Sequence, residues 1–137
     1  MTTTVTASPT GRPSYTQTLP RTSESVGEAR RLVRNALSVW DLGELEDPGV
    51  ILASELVTNS VRHARCRMVR VTVTRLSRNT VRVAVVDKCH ARLVVRDPGD
   101  TDTSGRGLVI VDAMTDRWGT EPLPWGKRVW GELSLKG

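Results

Sequence analysis

Phenylalanine is absent from this sequence of 137 residues, and the aromatic residues are four tryptophans and one tyrosine. Cysteine occurs only at Cys66 and Cys89, a pair with neither a metal-ligand spacing nor the pattern of a disulfide framework. No apolar run approaches the roughly 20 residues of a membrane-spanning helix. The N-terminal residues also lack the charged and apolar regions of a signal peptide. We therefore expect a soluble cytoplasmic protein.

The sequence is basic, with a formal net charge of +5 at pH 7. Basic domains can bind nucleic acids through their phosphates. Most positive residues are scattered, and the one cluster comprises Arg62, Arg65, Arg67 and Arg70. This cluster fits a solvated helix end better than a phosphate-binding patch, and the sequence has no zinc-finger, basic-zipper or RNA-binding strand pattern. Nucleic-acid binding is therefore the weakest of the functional hypotheses.

The first 13 residues consist mainly of Thr, Ser, Pro and Gly and contain almost no side chains that form a core. Such a composition is typical of disordered segments. We predict a disordered tail at residues 1–13 and a single domain at residues 14–137, a length that suits one hydrophobic core.

The pattern of apolar residues predicts both helices and strands within the domain. Apolar residues recur every three or four positions in the helical segments and at every second position in the strands. The predicted helices are 23–40, 47–64 and 107–114, and the predicted strands are 14–20, 68–76, 80–87, 117–120 and 127–135. Gly43 is the expected stop of the first helix, and Asp47 and Pro48 are the expected N-cap and first residue of the second.

The strands 68–76 and 80–87 are separated only by a short turn at 77–79, which predicts an antiparallel hairpin. Neighbouring strands joined by short turns favour a mostly antiparallel sheet with the helices packed on one face. The expected fold class is α+β, in the form of a two-layer α/β sandwich. The longest irregular segment inside the domain is 88–107, and such loops are often functional lids.

The second predicted helix carries Glu55, Asn59 and His63 at intervals of four residues. With about 100° of rotation per residue, Glu55 and Asn59 fall at the margin between the apolar and the solvent-facing sides of the helix. An asparagine oxygen suits Mg²⁺, and a glutamate one turn earlier can accept a proton from a hydroxyl group directed at a phosphate. The same residues also fit a surface helix with local hydrogen bonds. For His63, packing is the better explanation.

Two further features are compatible with a nucleotide site. The strand 80–87 ends in Asp87, a carboxylate that can accept a hydrogen bond from an exocyclic amine such as that of adenine, or cap a turn. Farther along, Gly105 and Gly107 flank Arg106 at a predicted helix start, where free backbone N–H groups favour an anion. Alone, this glycine motif is weak evidence, because glycine often simply opens a helix.

Taken in order, ELVTNSVRHA, VVD and SGRGL closely resemble the motifs of the Bergerat-type ATP-binding fold, which gyrase, the heat-shock chaperone and histidine kinases share. The resemblance is nearest to the anti-sigma-factor serine/threonine kinases of bacteria, and GKRVWGELSL is similar to the last strand of that branch. It covers about residues 14–135. It implies ATP and Mg²⁺ as ligands and a sigma factor and a small antagonist protein as partners, and a homodimer is compatible with it.

The resemblance also implies a role for each motif. Glu55 would be the catalytic base, Asn59 the ligand of Mg²⁺, and Asp87 the residue that recognises adenine. The phosphates would be bound, beneath a mobile lid, by the residues of the glycine turn, Gly105, Arg106, Gly107 and Leu108.

The sequence departs from the family directly after Asp87. Family members continue as D-x-G-x-G, whereas Cys89 and Ala91 stand at the two glycine positions here. Side chains at these positions restrict the backbone and add bulk beside the expected adenine pocket. Two functions follow as alternatives. One is an ATP- and Mg²⁺-dependent serine/threonine kinase that phosphorylates an antagonist protein. The other is a catalytically weak or inactive relative that acts as a protein-binding regulatory module.

Overall fold

The computed structural model describes residues 3–7, 12–63, 67–88, 109–124 and 126–135. Its helices are α1 (Ser25–Val39), a 3-10 turn (Gly43–Leu45), α2 (Glu46–His63) and α3 (109–114). Its strands are β1 (Thr3–Ala7), β2 (Pro13–Pro20), β3 (Met68–Ser77), β4 (Thr80–Lys88), β5 (Arg117–Leu123) and β6 (Gly126–Ser134). Within these ranges, none of the helices has the length and apolar character needed to cross a lipid bilayer.

All of these strands belong to one antiparallel sheet with the order β1-β2-β3-β4-β6-β5. The predicted β3–β4 hairpin lies at its centre, with Val73 paired to Val83. The last strand in the chain, β6, pairs with β4, so that Asp87 at the end of β4 lies opposite Lys127. The predicted α+β class with a mostly antiparallel sheet is therefore confirmed.

The helices cover one face of the sheet. Alternate residues of the two central strands point to this face and are almost fully buried: Val69, Val71, Val73, Val81, Val83 and Val85. They form one hydrophobic cluster with apolar residues of α1 and α2, among them Leu37, Leu52 and Leu56. Burial of one valine or leucine side chain contributes about 1.5–3 kcal/mol. Aliphatic residues therefore supply most of the core in this chain without phenylalanine.

The helices α1 and α2 approach each other closely at Gly49. A Cβ atom at this position would lie 3.0 Å from Cγ1 of Val33 and 3.2 Å from Cδ1 of Leu37. Farther along the two helices, Nε of Arg30 donates a 2.6 Å hydrogen bond to Oγ of Ser54. The position of α2 is thus fixed against α1 as well as against the sheet.

The first helix ends before Gly43, which we predicted as its stop. Asp41 has a positive φ of 57°, and the N–H groups of Asp41 and Leu42 donate to the carbonyls of Ser38 and Leu37. This is a Schellman motif, whose left-handed residue is usually glycine but is aspartate here. Gly43 instead begins the 3-10 turn that leads into α2.

The second helix begins at Glu46, so the prediction of Asp47 as its N-cap and Pro48 as its first residue was wrong. The 3-10 turn at Gly43–Leu45 already sets the backbone on a helical path, and the helix therefore starts before the proline. Pro48 is tolerated because it lies in the first turn, where N–H groups have no partner within the helix.

The structure also differs from the predicted disordered tail at residues 1–13. Thr3–Ala7 form β1, an edge strand in which Val5 pairs with Tyr15 of β2. The β-branched threonine and valine residues favour extended backbone, and the edge of β2 offers hydrogen-bonding partners. Pro13, the last residue of the predicted tail, is already the first residue of β2.

The sheet face opposite the helices carries a cluster of charged and aromatic side chains. Oε2 of Glu132 accepts a 2.9 Å hydrogen bond from Nε of Arg82, and Oε1 lies 3.4 Å from Nε of Arg117. Both guanidinium groups lie over the ring of Trp130, at 4.5 and 5.5 Å from its centroid. A Cβ atom at Gly119 would lie 2.8 Å from Cζ2 of Trp130, so the ring covers this glycine. The cluster joins β4, β5 and β6.

Candidate functional site

Glu55 and Asn59 lie on α2 beside the residues that the helix buries. Leu52 and Leu56 are at most 1% exposed and pack in the core, whereas Glu55 and Asn59 are half-buried. Residues four positions apart lie one above the other on the same side of a helix. The carboxylate and the amide can therefore reach a common ligand at the edge of the helical layer.

Neither Glu55 nor Asn59 is engaged elsewhere in the described part of the chain, where no hydrogen bond or ion pair involves either side chain. Ser54 on the same helix differs, because its Oγ donates to the carbonyl of Val50 at 2.8 Å and accepts from Arg30. The pair is thus available for a ligand.

Asp87 lies at the end of β4, directly next to α2. Its side chain is buried, and its Oδ1 accepts a hydrogen bond from Oγ of Ser60, which is also buried. Ser60 follows Asn59 in sequence, so this bond connects the end of β4 to the turn of α2 that carries Asn59. The structure therefore brings the first two predicted motifs, ELVTNSVRHA and VVD, together in one place.

Ser60 was not among the residues that we predicted for the site. In the helix it shares the apolar side with Ala53 and Val57, both of which are fully buried. A serine on such a side is itself a signal, because a buried hydroxyl group requires a hydrogen-bonding partner. Asp87 provides that partner.

The third predicted motif lies outside the described residues, as do the positions where the family has glycine; these residues are Gly105, Arg106, Gly107, Leu108, Cys89 and Ala91. The helix that follows the motif, α3, is held by Val111, which is fully buried. Oγ1 of Thr115 donates to the carbonyl of Val111 at 2.7 Å, and Nε1 of Trp118 donates to Oδ1 of Asp112 at 2.8 Å. The C-terminal end of α3 is thus fixed to the core and to β5.

The side-chain oxygens of Glu55 and Asn59 are of the type that Mg²⁺ accepts as ligands. No group of three or more His, Cys, Asp or Glu side chains occurs together in the described part of the chain. Mg²⁺ prefers oxygen ligands and commonly takes one or two from the protein and the rest from phosphates and water. Asn59, which has no partner within the described ranges, offers an oxygen of this kind with Glu55 one turn away.

A buried acceptor at a strand end, next to a Glu–Asn pair that has no partner among the described residues, is compatible with a nucleotide site. The sequence matches the family described as the histidine kinase-like ATPase domain over residues 19–130, which is more than half of the chain. The chain therefore belongs to the histidine kinase-like ATPase family. The predicted Bergerat-type resemblance is confirmed at this level, and membership implies that the protein binds ATP.

One similar protein is an uncharacterized protein of Streptomyces coelicolor. The two sequences are 43% identical over a segment that covers 31% of this chain and 51% of the relative. The chain thus spans about half the length of that relative. Because the relative is itself uncharacterized, the similarity favours no particular activity.

Proposed function

We propose that this protein is an ATP- and Mg²⁺-dependent serine/threonine kinase of the anti-sigma-factor type. It would phosphorylate a small antagonist protein and sequester a sigma factor, and so regulate transcription. The observation that supports this proposal best is the Glu55–Asn59 pair, which has no partner among the described residues and is joined through Ser60 to the buried Asp87. The resemblance of residues 55–64 to the anti-sigma-factor kinases suggests a serine or threonine hydroxyl group as the phosphate acceptor.

In this proposal each side chain has a separate task. Asp87 accepts a hydrogen bond from the exocyclic amine of adenine, and Asn59 holds Mg²⁺, which offsets the charge of the phosphates when it is bound. Glu55 takes the proton of the substrate hydroxyl group. The oxygen of that hydroxyl group bonds to the γ-phosphorus, and ADP leaves. Phosphoryl transfer needs positioning and charge neutralisation more than covalent chemistry, and these side chains supply the positioning.

A second candidate function is a regulator that binds its protein partners without phosphorylating them. Cys89 and Ala91 favour it, since they stand where family members have glycine close to the adenine base. In that case ATP would bind weakly, and protein contacts would carry the regulation. The two candidates differ in whether phosphate reaches a second protein.

Calorimetric titration with ATP in the presence of Mg²⁺ tests the proposed ligand roles. We expect the wild type to bind at millimolar ATP or below and Asn59→Ala to bind about tenfold more weakly, the effect of losing roughly 1.4 kcal/mol. When EDTA removes Mg²⁺, the two proteins should bind ATP equally, because Asn59 acts through the metal. Thr58→Ala, at the half-buried neighbour of Asn59, is the matched control and should resemble the wild type in both conditions.

The outcomes separate the candidate functions. No measurable heat for the wild type at millimolar ATP would contradict the kinase proposal. Transfer of labelled phosphate to a co-encoded antagonist protein would support it, and binding of ATP without transfer would favour the second candidate. Retention of the protein on DNA that persists at moderate salt would favour nucleic-acid binding instead.

A further inference from the structure

The hydroxyl group of Ser60 is buried on the apolar side of α2 and takes no part in the roles described above. Ser60 is 4% exposed and Asp87 is 6% exposed. Burying a hydroxyl group costs free energy that only a hydrogen bond offsets, and alanine is the better helix former. Packing alone would therefore be served as well or better by alanine. The serine is explained by what its O–H group does to Asp87.

A donor bonded to a carboxylate has two effects. It holds one oxygen in place, so Oδ1 of Asp87 is committed to Ser60 and the orientation of the carboxylate is set. It also gives a buried acceptor one of the hydrogen bonds that burial requires. Ser60 therefore holds Asp87 in a defined orientation.

We propose that Ser60 is a positioning residue that sets the base selectivity of the site in favour of 6-amino purine nucleotides. The inference rests on the proposed function, because it requires Asp87 to meet the base. A 6-amino group donates to the carboxylate, whereas the oxygen of a 6-oxo purine would face it as a second acceptor. Two buried acceptors without a proton between them are unfavourable. Without Ser60, Asp87 can turn and its oxygens are no longer held in one orientation, so the selectivity falls.

Titration with ATP and with inosine triphosphate, both with Mg²⁺, tests this inference. The two nucleotides share the triphosphate and differ at position 6 of the purine ring, where the oxo form also places a proton on N1. We expect the wild type to prefer ATP by at least about tenfold. In Ser60→Ala, the affinity for ATP should fall and the preference for ATP should shrink about three- to tenfold.

Two further variants give the comparison its specificity. Ser54→Ala also removes a hydroxyl group from α2, but this group bonds to Val50 and Arg30, so we expect both affinities to be unchanged. Asn59→Ala should lower the affinities for ATP and inosine triphosphate by a common factor, because it acts on the phosphate side. A change in selectivity should therefore be confined to Ser60→Ala.

The inference is wrong if the wild type binds both nucleotides equally, or if Ser60→Ala changes neither affinity or both by the same factor. The proposed function stands in those cases, since ATP still binds. If the wild type binds neither nucleotide, the proposed function fails together with the inference. A thermal unfolding curve of Ser60→Ala with one cooperative transition near that of the wild type shows that a loss of selectivity does not arise from unfolding.

Discussion

Gly131 of β6 lies directly against Leu52 of α2. A Cβ atom at Gly131 would lie 2.9 Å from Cδ1 of Leu52 and 3.0 Å from Cγ2 of Thr115. Leu52 is 0% exposed, so its methyl groups have little room to move. The missing side chain on β6 thus lets α2 lie close to the sheet, one turn before Glu55 and two turns before Asn59. It also brings the end of α3 to the same point.

Gly131→Ala should therefore lower the free energy of unfolding by about 1–2 kcal/mol. This loss is net of a small gain, because alanine restricts the unfolded chain more than glycine does. Urea denaturation followed by circular dichroism measures this change. Gly27→Ala on α1 is the control, because nothing lies within 4 Å of the added Cβ atom. It should leave the stability unchanged or raise it by up to about 1 kcal/mol. Equal stability of Gly131→Ala and the wild type would contradict the close contact with Leu52.

The end of α1 at Asp41 gives a second prediction. Glycine adopts a positive φ without the steric cost that an L side chain has, so Asp41→Gly should raise the free energy of unfolding by about 0.5–1 kcal/mol. Gly43→Ala should be neutral or slightly stabilising, since φ at Gly43 is not positive and no atom lies near the added Cβ atom. Thermal and urea unfolding of both variants measure the changes. The opposite order, with Gly43→Ala the destabilised protein, would restore Gly43 as the helix stop.

Most of the fold could be predicted from the sequence because its signals are local. The alternating valines of β3 and β4 and the three- and four-residue spacing in α1 depend only on neighbours in the chain. The errors arose where distant or competing interactions decide. β1 forms because the edge of β2 is available, and the end of α1 depends on a Schellman motif that an aspartate completes.

The residues of the candidate site also divide into those with a local signal in the sequence and those that depend on a distant contact. Glu55, Asn59 and Asp87 could be named as candidates because each stands in a recognisable motif. The position of Ser60 on the apolar side of its helix signals a buried hydroxyl group, but its partner could not be predicted, because Asp87 is 27 residues away and meets it only after β4 packs against α2. The sequence does not name the hydrogen-bonding partner of a serine on the apolar side of a helix, whereas the geometry of the folded chain shows what its hydroxyl group binds.

The cluster around Glu132 gives a third prediction. The Glu132 side chain is 9% exposed, between Arg82 and Arg117. Glu132→Gln removes the charge that both arginines contact and should lower the free energy of unfolding by about 1–2 kcal/mol, since water still reaches the guanidinium groups. The difference in the free energy of unfolding between the variant and the wild type should shrink at 1 M NaCl, because salt screens the interaction and the Debye length there is about 3 Å. Urea titrations measure this difference.

Glu121 and Arg128 provide the control for this cluster. Their side chains are 51% and 38% exposed, and Oε1 of Glu121 lies 3.5 Å from Nη1 of Arg128. Exposed ion pairs of this kind contribute roughly 0–1 kcal/mol, so Glu121→Gln should change the stability less than Glu132→Gln does. Equal effects of the two variants would show that burial of Glu132 adds nothing to its contacts.

The last prediction separates binding from phosphate transfer. Glu55→Gln keeps the size and polarity of the side chain but removes its ability to accept a proton, so ATP should bind as in the wild type while phosphate transfer falls about 10²–10⁴-fold. Asp87→Asn should show the reverse: ATP should bind more weakly, while phosphate transfer at saturating ATP stays near the wild-type rate. The reason is that replacing half of the carboxylate by an NH₂ donor impairs recognition of the base. Calorimetry and transfer of labelled phosphate to the antagonist protein measure the two effects on the same preparations. Transfer by Glu55→Gln at the wild-type rate would show that Glu55 is not the base.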